Sequence, residues 1–91
     1  MRKLLEDAAQ RAIRYLEELD SRSVAPDAVA IAGLDQLDGD MPDKTGDPVD
    51  TLRMLDELCS PATMGNAGRR FYGFVIGGSL PVTLAANWLA G

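Results

Sequence analysis

The 91-residue sequence contains no histidine and only one cysteine, Cys59. The absence of histidine removes the commonest metal ligand and the usual general base of enzymes. A single cysteine cannot form a disulfide within the chain, and without a neighbouring histidine or second cysteine it is expected to be an inert thiol. A small self-contained enzyme is therefore the least favoured interpretation of the sequence.

Basic residues are also scarce, because nine Lys and Arg stand against fourteen Asp and Glu and give a net charge of −5. Nucleic-acid binding requires a basic patch. No apolar run approaches the roughly 18 residues that a membrane helix needs. The acidic stretch 38–47 lacks the ligand spacing of an EF-hand and is expected to be a solvated loop. We expect a cytoplasmic protein that binds neither nucleic acid nor membranes.

The distribution of apolar residues predicts a mostly α fold. Between residues 2 and 20, apolar side chains recur at spacings of three and four, which places them on one stripe of an amphipathic helix. Asp47-Pro48 is a typical helix start, with an acidic cap followed by proline in the first helical position. Helices are predicted over residues 2–20, 27–37, 48–58 and 80–90, within one small domain of residues 1–91.

The segment 71–76 is aromatic and β-branched, which predicts a short extended segment. Gly77-Gly78 interrupts it before the last helix. From the residues alone, this glycine-rich stretch is either a strand-to-helix turn or a phosphate-binding loop, although it fits neither of the common glycine-rich phosphate motifs. The preceding pair Arg69-Arg70 is either solvated or a site for a carboxylate or phosphate.

The same region carries a resemblance to a known family. It reads Arg69-Arg70-Phe71-Tyr72-Gly73-Phe74-Val75-Ile76-Gly77-Gly78-Ser79-Leu80-Pro81, followed by Leu84-Ala85-Ala86-Asn87-Trp88-Leu89-Ala90. An aromatic cluster, a Gly/Ser loop, a proline and an Ala/Leu-rich helix in this order resemble the early segment of the group II pyridoxal-phosphate (PLP) decarboxylases, which include the aromatic-L-amino-acid and glutamate decarboxylases. Ser60-Pro61-Ala62-Thr63 also fits the family layout. Gly68-Arg69 departs from it, because many members carry His-Pro there.

The resemblance implies the N-terminal segment of a fold-type-I PLP enzyme, whose large α/β domain would follow this chain. The last predicted helix has no stop signal before Gly91, in keeping with that expectation. The resemblance further implies that the N-terminal helices pack across a homodimer interface. It also implies that Phe74, Val75, Ile76 and Gly77 contact an amino-acid substrate.

The residues that would hold PLP in such an enzyme are not in this sequence, whose only lysines are Lys3 and Lys44. We therefore expect the chain alone to bind neither PLP nor a metal and to be catalytically inactive. The sequence does not distinguish among aromatic amino acids, glutamate and aspartate as the substrate. The alternative interpretation is a free-standing helical module whose apolar stripes bind a partner protein.

Overall fold

A computed structural model describes all residues from 1 to 91, and they form four α-helices with no β-strand. The prediction of a mostly α fold is confirmed. The helices are α1 (Arg2–Glu18), α2 (Ala28–Gly33), α3 (Pro48–Met54) and α4 (Pro81–Ala90). Helix α2 continues into a 3-10 turn over Leu34–Leu37. A π-helical turn over Leu55–Cys59 and a 3-10 turn over Ser60–Ala62 follow α3.

Local sequence signals explain where the two short helices begin. Asp27 precedes α2 in an extended conformation, and its carboxylate accepts a hydrogen bond from the backbone N–H of Ala30 at 2.7 Å. Asp47 caps α3 in the same way, accepting from the N–H of Val49 at 2.9 Å. Each carboxylate satisfies one of the amide groups that a helix leaves unpaired at its first turn.

The prediction of an extended segment over 71–76 is wrong. Phe74 and Val75 adopt left-handed backbone conformations with φ of 60° and 54°, and they form a turn rather than a strand. β-Propensity measures how well a side chain fits a paired, half-buried sheet surface. No second strand exists in this fold to pair with the segment. The aromatic and β-branched side chains of this segment therefore have no sheet surface against which to pack.

Few contacts join the helices to one another. Helix α1 contacts α3, and α2 contacts the turn over Ser60–Ala62. The N–H of Gly65 donates to the carbonyl of Val24 at 2.8 Å, and Gly65 is the only residue of the chain that is fully buried. No apolar side chain is buried, so this arrangement has no hydrophobic core of its own. None of its helices is both long enough and apolar enough to span a membrane.

Candidate functional site

The four residues expected to contact substrate form a projecting loop. The side chain of Phe74 is 79% exposed, Val75 is fully exposed and Ile76 is also exposed. Gly77 has a left-handed φ of 62°, which glycine adopts without strain. None of these residues lines any of the four main clefts of the structure. The loop therefore offers an uncovered apolar surface and does not enclose a pocket by itself.

The base of this loop is fixed by the packing of an aromatic ring against the backbone. A Cβ atom placed on Gly73 would lie 2.7 Å from Cζ of Phe71, so the ring occupies the space that a larger residue would need. The rings of Phe71 and Phe74 lie 6.0 Å apart between centroids, at an angle of 34°. This separation is within the usual range for interacting aromatic pairs. Gly73 is therefore the position that allows the chain to turn beneath Phe71.

The two arginines before the loop have different surroundings. A guanidinium nitrogen of Arg70 donates to the carbonyl of Asp20 at 3.0 Å and to the carbonyl of Arg22 at 2.6 Å. Arg69 makes only a 3.4 Å ion pair with the carboxylate of Asp20, and its side chain is 78% exposed. Both arginines are exposed, as the interpretation of a solvated pair expects, but Arg70 in addition joins the segment before the loop to the turn after α1.

A second arginine, Arg22, also hydrogen-bonds to the backbone of a distant segment. Arg22 donates to the carbonyls of Ser60 at 2.8 Å and Thr63 at 3.3 Å. Its guanidinium also lies 4.9 Å from the centroid of the Tyr15 ring, within cation–π range. Arg22 therefore ties the chain after α1 both to α1 itself and to the turn that precedes the loop.

Ion pairs join α1 to the π-helical turn after α3. The carboxylate of Asp56 accepts from Arg11 at 2.7 Å and from Arg14 at 3.0 Å, and Arg11 also donates to Asp7 at 3.0 Å. The hydrogen bond with Asp56 outweighs desolvation and raises the pKa of Arg11 above its ordinary value. Because each charge in the cluster already has an internal partner, the cluster acts as a structural tie between the two elements.

An apolar groove runs between α1 and α4 and has a volume of about 680 Å³. Its walls are the α1 stripe and the inner face of α4. The apolar residues that line it are Ala9, Ala12, Ile13, Leu16, Leu80, Pro81, Leu84, Ala85, Trp88 and Leu89. Both helices could be predicted as apolar surfaces from the sequence, but no sequence signal indicated that they would face each other.

No group of histidine, cysteine, aspartate or glutamate side chains is arranged to hold a metal ion. Lys3 and Lys44 are both exposed and line none of the four main clefts. Neither lysine therefore lies in surroundings that would hold a PLP group, so no chemical step is assigned to this chain. The chain matches no protein-family profile, no curated protein and no solved structure.

Proposed function

We propose that the chain is the N-terminal segment of a PLP-dependent amino-acid decarboxylase. In this proposal, it supplies homodimer contacts and one wall of the substrate pocket, and it is inactive alone. The resemblance of residues 60–91 to the group II decarboxylases supports the chemistry. PLP would withdraw electrons from the substrate Cα as CO₂ leaves, and residues outside this sequence would bind it.

The observation that carries the proposal is the amount of uncovered surface. The chain exposes 7617 Å², whereas a compact monomer of its 9.8 kDa mass exposes about 5,200 Å². Its radius of gyration is 15.0 Å, against about 12 Å for a compact domain of this length. Covered by a partner surface of equal area, the surplus of about 2,400 Å² would make an interface of about 4,800 Å² in total, within the roughly 2,000–5,000 Å² of obligate interfaces. Such a surface is expected of a segment that further polypeptide covers.

The position of that surface agrees with the two proposed roles. The groove between α1 and α4 is apolar and open, so a second layer of structure is needed to remove it from water. The loop at 74–77 presents apolar side chains outward, as the wall of a pocket completed by another part of the enzyme would. We assign the groove to contacts with the rest of the enzyme dimer and the loop to the apolar part of an amino-acid substrate.

The size and cofactor content of the native protein test this proposal. An antibody against the exposed acidic loop at 38–47 would identify the protein in its source cells, with the free peptide as a competing control. We expect a species of several tens of kDa, measured by intact-mass spectrometry, that carries a PLP absorption band and releases CO₂ from an amino acid. A stable species of only 9.8 kDa, or a larger protein without PLP, would contradict the proposal.

The alternative function is a free-standing interaction module, and the open groove between α1 and α4 is the observation that favours it. A module of this kind accepts the apolar face of a partner helix. It would have to fold by itself before binding, and therefore would unfold cooperatively as an isolated chain. A segment of a larger enzyme has no such requirement, so the isolated chain distinguishes the two functions.

A further inference from the structure

We propose that Arg70 is a positioning residue for the substrate wall, holding the loop at 74–77 in place from the end of α1. The inference rests on the proposed function, because it assigns the loop to a substrate pocket. Arg70 lies outside the loop and would touch no substrate itself. Its effect would pass through the backbone and through Phe71.

The contacts of Arg70 link parts of the chain that lie far apart in sequence. Its guanidinium donates to the carbonyls of Asp20 and Arg22, 50 and 48 residues earlier. Asp20 and Arg22 lie in the turn that follows α1 and its C-cap, Leu19. Hydrogen bonds from a charged donor are shorter and stronger than neutral ones. Arg70 therefore fixes the start of the loop relative to α1.

The anchor to which Arg70 binds is itself held in place. Arg22 supplies one of the two carbonyl acceptors, and its own side chain donates to the carbonyls of Ser60 and Thr63. The same side chain lies against the ring of Tyr15 on α1. Together, Arg22 and Arg70 connect α1, the turn at Ser60–Ala62 and the segment just before the loop.

A short series of contacts along the chain connects Arg70 to the loop. The next residue, Phe71, donates its N–H to the carbonyl of Gly68 at 3.2 Å, and its ring packs over Gly73. Beyond Gly73, the backbone is left-handed at Phe74 and Val75. Non-glycine residues keep that conformation only where their surroundings determine it. Loss of the Arg70 contacts therefore removes the long-range hydrogen bonds that lie nearest to the turn in the sequence.

Arg69 provides a matched control. It adjoins Arg70 and carries the same charge, but its only polar partner is the Asp20 carboxylate at 3.4 Å. An exposed pair of this kind contributes little to stability. Arg69→Ala therefore removes one positive charge from the same place without removing the carbonyl contacts.

The experiment compares the native full-length protein with its R70A, R70K and R69A variants. The first measurement is the rate of chymotrypsin cleavage after Tyr72 and Phe74, which requires no activity. We expect R70A to be cleaved about tenfold faster than wild type, because the loss of charge-assisted hydrogen bonds favours the open form. R70K should be cleaved about threefold faster, since its shorter side chain can reach only one carbonyl. R69A should match wild type.

The second measurement is steady-state decarboxylation with the amino acid that the wild-type protein accepts. A displaced wall weakens substrate binding without altering the cofactor chemistry, so we expect R70A to raise KM about tenfold with kcat within about twofold. Equal cleavage rates and equal KM values for R70A and R69A would overturn the inference. If R70A does not accumulate as folded protein, R70K takes its place in the test. Cleavage of R70K no faster than cleavage of R69A would then overturn the inference.

The result for the wild-type protein separates this inference from the proposed function. Wild-type protein without PLP or decarboxylation would refute the proposed function, and with it the substrate role of the loop. Active wild-type protein in which R70A behaves as R69A does would refute only the role of Arg70.

Discussion

The isolated 91-residue chain is expected not to unfold cooperatively, because its helices do not enclose a core. An unfolded chain of 9.8 kDa exposes about 14,200 Å², so folding to the observed 7617 Å² removes about 6,600 Å² from water. A compact domain of the same mass would remove about 9,000 Å². The chain therefore buries about a quarter less surface than a self-sufficient domain.

The deficit is large in energetic terms. About 55–60% of protein surface is apolar, so roughly 1,400 Å² of the surplus is apolar area left in water. At about 25 cal/mol per Å², this area corresponds to a loss of up to about 35 kcal/mol of hydrophobic stabilisation relative to a compact domain. The net stability of a domain is only about 5–15 kcal/mol. The isolated chain should therefore lack a fixed tertiary structure even where its helices persist.

Calorimetry and circular dichroism of the purified chain test this expectation. We expect far-UV signal from the helices, weak near-UV signal from Trp88, binding of a hydrophobic dye and no sharp heat-absorption peak. The native protein from its source cells is the control and, under the proposed function, should show a cooperative transition. A single calorimetric transition of the monomeric chain, with equal van't Hoff and calorimetric enthalpies, would refute the reasoning. It would favour the free-standing module instead.

Three substitutions in the native protein test individual contacts, each by a separate measurement. Asp56→Asn weakens the acceptor that two arginines share and should lower the melting temperature more than Asp50→Asn, whose partner lies on its own helix; equal shifts would contradict the proposed tie. Gly73→Ala brings a Cβ within 2.7 Å of an aromatic ring and should destabilise by about 1 kcal/mol in denaturant titration. Gly39→Ala meets nothing within 4 Å, so an equal loss there would argue against the steric cause. Asp27→Ala removes a helix cap and should lower stability by about 1 kcal/mol, again in denaturant; no change would show that the cap is dispensable.

The helices could be predicted from the sequence because their signals are local. The apolar stripe of α1 repeats within a few residues, and the structure has Arg2–Glu18 where 2–20 was predicted. Asp27 and Asp47 each act within three residues of their own position. The prediction of 48–58 as one helix missed only its change from α to π geometry after Met54. The π turn is only five residues long, about one turn, which is too short for its different period to appear in the pattern of apolar residues.

The loop could not be predicted in the same way, because distant residues determine it. The interactions of Arg70 with Asp20 and Arg22 span about half of the chain, and nothing in the local sequence indicates them. The prediction of an extended segment relied on β-propensity, which depends on neighbouring strands that this fold does not have. The left-handed turn at Phe74 and Val75 is therefore a consequence of tertiary contacts, whereas its composition is typical of a strand.

Helix α4 shows what composition can predict even where the tertiary arrangement cannot be predicted. No charged residue occurs between positions 71 and 91, and a helix that is apolar all round belongs in a protein interior. In this structure α4 lines the groove with α1, yet every residue of α4 is exposed, with Val82 at 70% and Leu89 at 93%. No side of α4 is therefore covered by the rest of residues 1–91. Under the proposed function, further polypeptide would cover α4 both along the groove it shares with α1 and on the side away from α1.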